Sequence, residues 1–315
     1  CISVRSLTST QHSVGFGYLT YSVDNNLPVG EGTATNLTTR SIHGSHPFWA
    51  SSDRQMAEEF FRGGFASGLF IRGEPISRLH YSASVNTNLS QLGVTAANDS
   101  RDMAYSGSLT WLPSTGEFGP RGGFGDLEHH EKLATRFGVS AAHAREDRAS
   151  PIGQAPNETQ LRLSDGVLLF EGGALADGVT VQQADYDVVA IDAGFKYRGF
   201  SFQAEYYNRT YSNFASDGPL PQDSITDTGF MAAAMHMVVK RKLGLYVAGG
   251  YIFDDFERNP WEVAGGASFY PMGSRSWRIN LHVIRVEKSP ASSNFGYYTA
   301  GQSGTTFSIG TDILL

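Results

Sequence analysis

The last eleven residues, Thr305 to Leu315, alternate in a way that few folds accept. Phe307, Ile309, Ile313 and Leu315 fall on one face with Thr311, while Thr306, Ser308, Gly310 and Asp312 fall on the other. An edge strand in water with such an apolar face would invite aggregation. A strand that turns one face to lipid and the other to a polar interior needs this pattern. The dyad recurs upstream. Leu79, Tyr81, Ala83 and Val85 oppose His80, Ser82, Ser84 and Asn86. Trp277, Ile279, Leu281 and Val283 oppose Arg278, Asn280 and His282.

Twelve segments carry the pattern, near 13–23, 65–74, 79–87, 103–112, 133–143, 186–198, 199–211, 228–239, 242–253, 261–271, 277–287 and 305–315. Most have the length of a tilted strand that crosses a bilayer. The expected fold is an all-β, transmembrane antiparallel β-barrel, with 12 strands visible and 12 to 16 in all, in one domain over 1–315. Composition agrees. Only 17% of residues are charged, below the usual quarter, and aromatics reach 12%. No apolar run is long enough for a membrane helix. Trp111, Tyr197, Phe253, Trp261, Tyr270 and Trp277 stand at strand ends, where interfacial girdles belong.

Short turns at 74–78, 198–199, 240–242 and 271–276 alternate with long polar loops at 24–64, 144–185, 212–227 and 288–304. Short periplasmic turns and long external loops are the barrel habit. The segment 113–132 breaks the parity, because it should be a short turn and has about twenty residues. Within the first long loop, Met56, Phe60 and Phe61 fall at helical spacing, with Ser51, Ser52 or Asp53 to cap the start. Such a helix enters the lumen or lies on the outer rim. The chain starts at Cys1 without an initiator Met or a signal peptide, which reads as a processed or truncated end. Absent N-terminal strands, or a lipid attached at Cys1, are the alternatives that follow.

Inward charges decide what a pore passes. The strand register turns Arg72, Arg136, Lys196, Arg209 and Arg278 to the interior, together with Asp192 and Glu205. The bases form an anion-attracting wall, or they pair with the inward acids and only set the field. A net charge of −7 disfavours a nucleic-acid partner. The glycine-rich stretch 116–125 lacks the Lys-Ser/Thr ending of a nucleotide loop and reads as a shaped turn. His129, His130 and Glu131 are adjacent, but metal binding needs further ligands that the sequence does not supply, so no metal and no cofactor are expected. Asp217, Asp223, Asp227, Asp254, Asp255 and Glu257 fall in external loops, where they are solvated or bridge cations to lipopolysaccharide. A hydrolase would need Ser and His within reach of each other. Ser140 and His143 fall on opposite faces, and no enzyme is expected.

Several stretches resemble the phosphate-selective porin family (porins O and P) of Gram-negative bacteria. They are EEFFRGGF at 58–65, TGEFGPRGGFGDLEHHEKLATRFG at 115–138, KYRGFSFQAEYY at 196–207, GGYIFDDF at 249–256 and NPWEVAGGASFYP at 259–271. The resemblance spans about 58–315, and positions 1–57 match less well. It implies an outer-membrane porin, often a trimer, that lets small hydrophilic solutes or ions diffuse, with an anion or phosphate preference as one form. The implied partners are outer-membrane lipids, lipopolysaccharide, small ions or solutes, and further copies of the chain. The alternatives are a structural or adhesive barrel plugged by its own loops, and a barrel-embedded lipid hydrolase.

Overall fold

The computed structural model describes residues 2–5, 12–17, 55–61, 68–86, 102–114, 124–148, 161–291 and 299–313. Thirteen antiparallel strands form one sheet in simple chain order. They are β1 (Ile2–Arg5), β2 (His12–Gly17), β3 (Gly68–Ile76), β4 (Leu79–Asn86), β5 (Ala104–Trp111), β6 (Ala134–Asp147) and β7 (Val181–Tyr197). The second half adds β8 (Phe200–Ser216), β9 (Ser224–Val239), β10 (Leu243–Phe253), β11 (Trp261–Phe269), β12 (Trp277–Glu287) and β13 (Gly304–Ile313). Among the described residues, one short helix, α1 (Met56–Phe61), precedes β3. All twelve segments expected from alternation are strands, and Ile2–Arg5 is a further one that the pattern missed. Four residues are too few to show a period of two.

Each strand pairs with its sequence neighbours, and no register joins β13 to β1 among the described residues. The alternation separates two faces. On β7, Tyr186, Val188, Ala190, Gly194 and Lys196 point inward and are buried, while Val189, Ile191 and Tyr197 point outward. On β12, Arg278, Asn280, His282, Ile284 and Val286 are buried, and Trp277, Leu281 and Val283 are exposed on the outer face. The outer face is a belt of Leu, Val, Phe, Tyr and Trp, which water would penalise and a bilayer accepts. Exposed outward charges such as Asp187 and Arg285 lie toward the strand ends at the long-loop rim. Among the described residues, no helix is long and apolar enough to cross a membrane. The fold is a membrane-type β-barrel wall, as the alternation demands.

The interior is packed in three layers along the strands. At the long-loop end, Tyr186, Val188, Tyr211 and Ile225 meet Leu161, Leu163, Leu169 and Phe170. In the middle, Ala190, Tyr207, Met231, Ile252 and Ile284 meet Met56, Ala57, Phe60 and Phe61 of α1. At the short-turn end, Met235, Met237, Tyr246 and Tyr270 meet Phe124 and Leu127. Along β9 the three layers run from Ile225 to Met237, roughly 40 Å at the rise of a strand. The segment 113–132 therefore has a reason for its length. Its described part, from Phe124, folds back into the wall instead of turning directly into β6. On the remaining wall, Ser82, Ser106, Ser108, Thr110, Thr306, Ser308 and Gly310 face inward and are half-buried.

The two faces should respond differently to charge. Leu281→Arg places a guanidinium in the apolar belt and should lower the yield of heat-resistant, bilayer-inserted protein, at a cost of about 2–4 kcal/mol. Thr306→Arg on the inner face should fold with near wild-type yield. Equal yields in a vesicle-refolding assay would contradict the assignment of faces.

Candidate functional site

The densest constellation in the interior is centred on Arg209 of β8, which is 1% exposed. Its guanidinium bonds Asp227 of the paired strand β9 at 2.5 Å. It also donates to the carbonyl of Phe60 at 2.7 Å and to that of Arg162 at 3.1 Å. The same group lies 3.9 Å above the Phe60 ring and 4.6 Å from the Tyr211 ring. One side chain thus joins the wall, the helix α1 and the inserted loop 161–170. A planar guanidinium suits this, because it offers five donors in one plane and an apolar face to aromatic rings.

Helix α1 is held by further contacts. Tyr186 Oη donates to the Phe61 carbonyl at 2.7 Å, and the Met56 amide donates to Glu262 Oε1 at 2.9 Å. The Phe61 ring stacks on Tyr207 with centroids 4.9 Å apart. Gly229 faces this ring, and a Cβ there would lie 2.6 Å from Phe61 Cε2. A six-residue helix has little stability of its own, so these contacts fix it. The sequence left α1 between rim and lumen, and the structure puts it in the lumen.

The other inward charges are also matched. Arg136 binds Asp192 through Nε at 2.5 Å and through its terminal nitrogen at 3.3 Å. Gly138 makes room for this pair, since a Cβ there would fall 2.0 Å from Asp192 Oδ2. Arg278 binds Asp312 Oδ2 at 2.9 and 2.7 Å. Glu205 accepts a bond from Tyr207 Oη at 2.5 Å. Lys196 is fully buried beside the short-turn end, close enough to Glu128 to act on its charge. Arg72 sits on β3 opposite Ser82, and its side chain lies outside the described residues. The sequence named Arg136, Lys196, Arg209, Arg278, Asp192 and Glu205 as inward, and they are. It did not name Asp312 as a partner, and it put Asp227 in an external loop. Asp227 instead lies in β9, buried against Arg209.

The loop acids work as local backbone acceptors. Asp217 accepts the Thr180 amide at 2.7 Å, Asp254 the Arg258 amide at 2.8 Å and Asp255 the Thr226 amide at 2.7 Å. Near the other end, Asp126, Glu128 and His130 bring carboxylate and imidazole atoms within 4.8 Å of one another. Of the adjacent sequence candidates His129, His130 and Glu131, only His130 is part of this group. Each of the three has hydrogen-bond partners in the protein. Asp126 accepts from the Gly199 amide at 2.7 Å, from the His130 amide at 3.0 Å and contacts His130 Nδ1 at 2.5 Å. Glu128 pairs with Arg275, which also donates to the carbonyl of Gly125 at 2.7 Å. The arrangement ties the inserted segment 124–133 to the β7–β8 turn.

No family model and no curated protein matches the chain. Among solved structures, the chain is similar to one described as outer-membrane expressed OmpT of Vibrio cholerae, with a TM-score of 0.46 and 11% identity. The match covers 96% of this chain and 74% of that one. A likeness this distant adds nothing to what the strand register shows.

The anion-attracting diffusion pore expected from the sequence is corrected by the pairing of its bases and by the helix and loops that pack against the inner wall. A pore that attracts anions needs bases facing water. Here Arg136, Arg209 and Arg278 are buried and paired with Asp192, Asp227 and Asp312, and Phe60, Phe61, Phe124 and Phe170 pack against the inner face of the wall. Sequence alternation cannot report this, because it shows which way a side chain points and not what comes to meet it.

Arg209→Met should destabilise the barrel by about 3–5 kcal/mol, because Asp227 is left buried and unpaired. The double change Arg209→Met with Asp227→Leu should cost less, as measured by denaturant unfolding in vesicles. At the short-turn end, burial alone would raise the Glu128 carboxyl, but Arg275, with Lys196 behind it, outweighs this and holds it below its ordinary value of 4.5. The contribution to stability is therefore complete above pH 4.5 and is lost as pH falls through the lower folded value. Amide exchange in 124–133 should accelerate over that window, and Glu128→Gln should remove the pH dependence.

Proposed function

We propose that this chain is an outer-membrane β-barrel of a Gram-negative bacterium, plugged by its own loops, that serves as a structural and surface-displaying scaffold. The observation that carries this reading is the Arg209 junction, where wall, helix and loop share one buried cation. A second feature supports display. The long-loop rim is knitted by side chain and main chain together: Arg258 reaches Ser164 at 2.9 Å and Asp165 at 3.1 Å, and Lys288 Nζ reaches the Arg258 carbonyl at 3.1 Å. A rim fixed in this way presents one surface to its surroundings, which suits adhesion.

One observation favours a second reading, a hydrolase at the lipid surface. His143 and Asp187 form an exposed pair on the outer face, with Nδ1 2.8 Å from the carboxylate. A carboxylate that orients an imidazole is two-thirds of a hydrolytic triad. Ser140 is turned to the interior and is not its nucleophile.

Planar-bilayer recording of inserted protein tests the first reading. Wild type should show no stable ohmic steps under an applied voltage. Steady single-channel conductance would refute the plug. Release of fatty acid from phospholipid vesicles, abolished by His143→Ala, would transfer the assignment to the second reading.

A further inference from the structure

The short turns carry a feature that neither the wall nor the plug requires. Among the described residues, the four non-glycine residues at this end with left-handed backbone are all basic in type: Arg78 (φ 69°), His129 (φ 59°), Arg198 (φ 46°) and Arg241 (φ 60°). Gly or Asn would fill such positions with less strain. At the long-loop end the equivalent residues are Asn213, Glu257, Asn259 and Lys288. The left-handed turn throws the Arg side chain out of the hairpin. Arg78, Arg198 and Arg241 are exposed, and Lys132, Lys240 and Lys242 beside them are exposed as well.

These bases stand at a fixed depth. Exposed Ile76, Leu133, Tyr197, Phe200 and Val239 lie within two residues of them and mark the end of the apolar belt. A cation at this level meets lipid headgroups. Among the described residues, the nearby acids are few and engaged. Glu74 accepts the Arg78 amide, Glu131 lies 3.9 Å from Arg198, and Glu128 pairs with Arg275. Arg78, Arg241 and Lys242 each hold a neighbouring carbonyl, at Pro113, Gly273 and Pro271, which anchors the head at the rim. Among the described residues the opposite rim is net acidic, with Asp187, Asp217, Asp223, Asp255 and Glu257 exposed against Arg285 and Lys288.

We infer that the short-turn rim is a binding surface for the phosphate headgroups of anionic phospholipids in the leaflet that it meets. The inference rests on the membrane-barrel reading above. The rim cations attract the headgroups, and the apolar belt above them accommodates the acyl chains. Because the other rim is acidic, the attraction has a side and helps to set the depth and orientation of the barrel.

The test uses the full chain in phosphatidylcholine vesicles with trace spin-labelled phosphatidylglycerol or phosphatidylcholine. Insertion is first verified by heat-modifiable migration, and failure there would overturn the membrane reading itself. Wild type should associate with phosphatidylglycerol at least about threefold more than with phosphatidylcholine, and 0.5 M salt should reduce the difference. The variant Arg198→Gln/Lys240→Gln/Arg241→Gln/Lys242→Gln should lose the preference. Lys132→Gln alone, which leaves the three hairpin turns intact, should lower it in part. Arg285→Gln/Lys288→Gln at the far rim should leave it unchanged. Equal association of both lipids with wild type, or loss of preference only in the far-rim variant, would overturn the proposal.

Discussion

The burial of Arg209 is the constraint on which the interior depends. A guanidinium deep in a barrel is costly unless every direction is answered, and here Asp227, two carbonyls and the Phe60 and Tyr211 rings answer it. Without the cation, the carbonyls that end α1 and open the inserted loop would be left without this donor inside the barrel. Helix, loop and wall are then one unit. The short length of α1 follows from this, because six residues suffice when partners from β7 to β11 hold them.

The same logic runs along the whole inner face. Charges come in cross-strand pairs, as with Arg136 and Asp192 or Arg278 and Asp312, so that the interior is polar and nearly neutral at once. Glycine supplies the room. Gly138 admits the Asp192 carboxylate and Gly229 admits the Phe61 ring. The Gly content, high for a strand protein, is partly a record of close approach by what fills the barrel.

Much of the fold was legible because a strand with one face in lipid has to alternate. Phe307 and Ile309 against Ser308 and Gly310 fix a register that packing cannot alter. The inward set from Arg136 to Arg278 was legible for the same reason. What fills the interior was not. Phe124 and Leu127 sit in a run with no period, and the distance from Phe60 to Arg209 in sequence is 149 residues. A pattern within one segment carries no information about a partner so far away. The pore expectation failed at that point, since Asp227 and Asp312 become partners only when neighbouring strands are laid side by side.

The position of α1 also orders events during assembly. Its bonds reach forward 125 residues to Tyr186 and 206 to Glu262. Loop closure over such spans is slow, and a helix of six residues has little stability of its own until β7 to β11 receive it. The N-terminal segment must therefore wait for the C-terminal half of the chain. An early segment of the chain is thus shaped by strands that are made well over a hundred residues later.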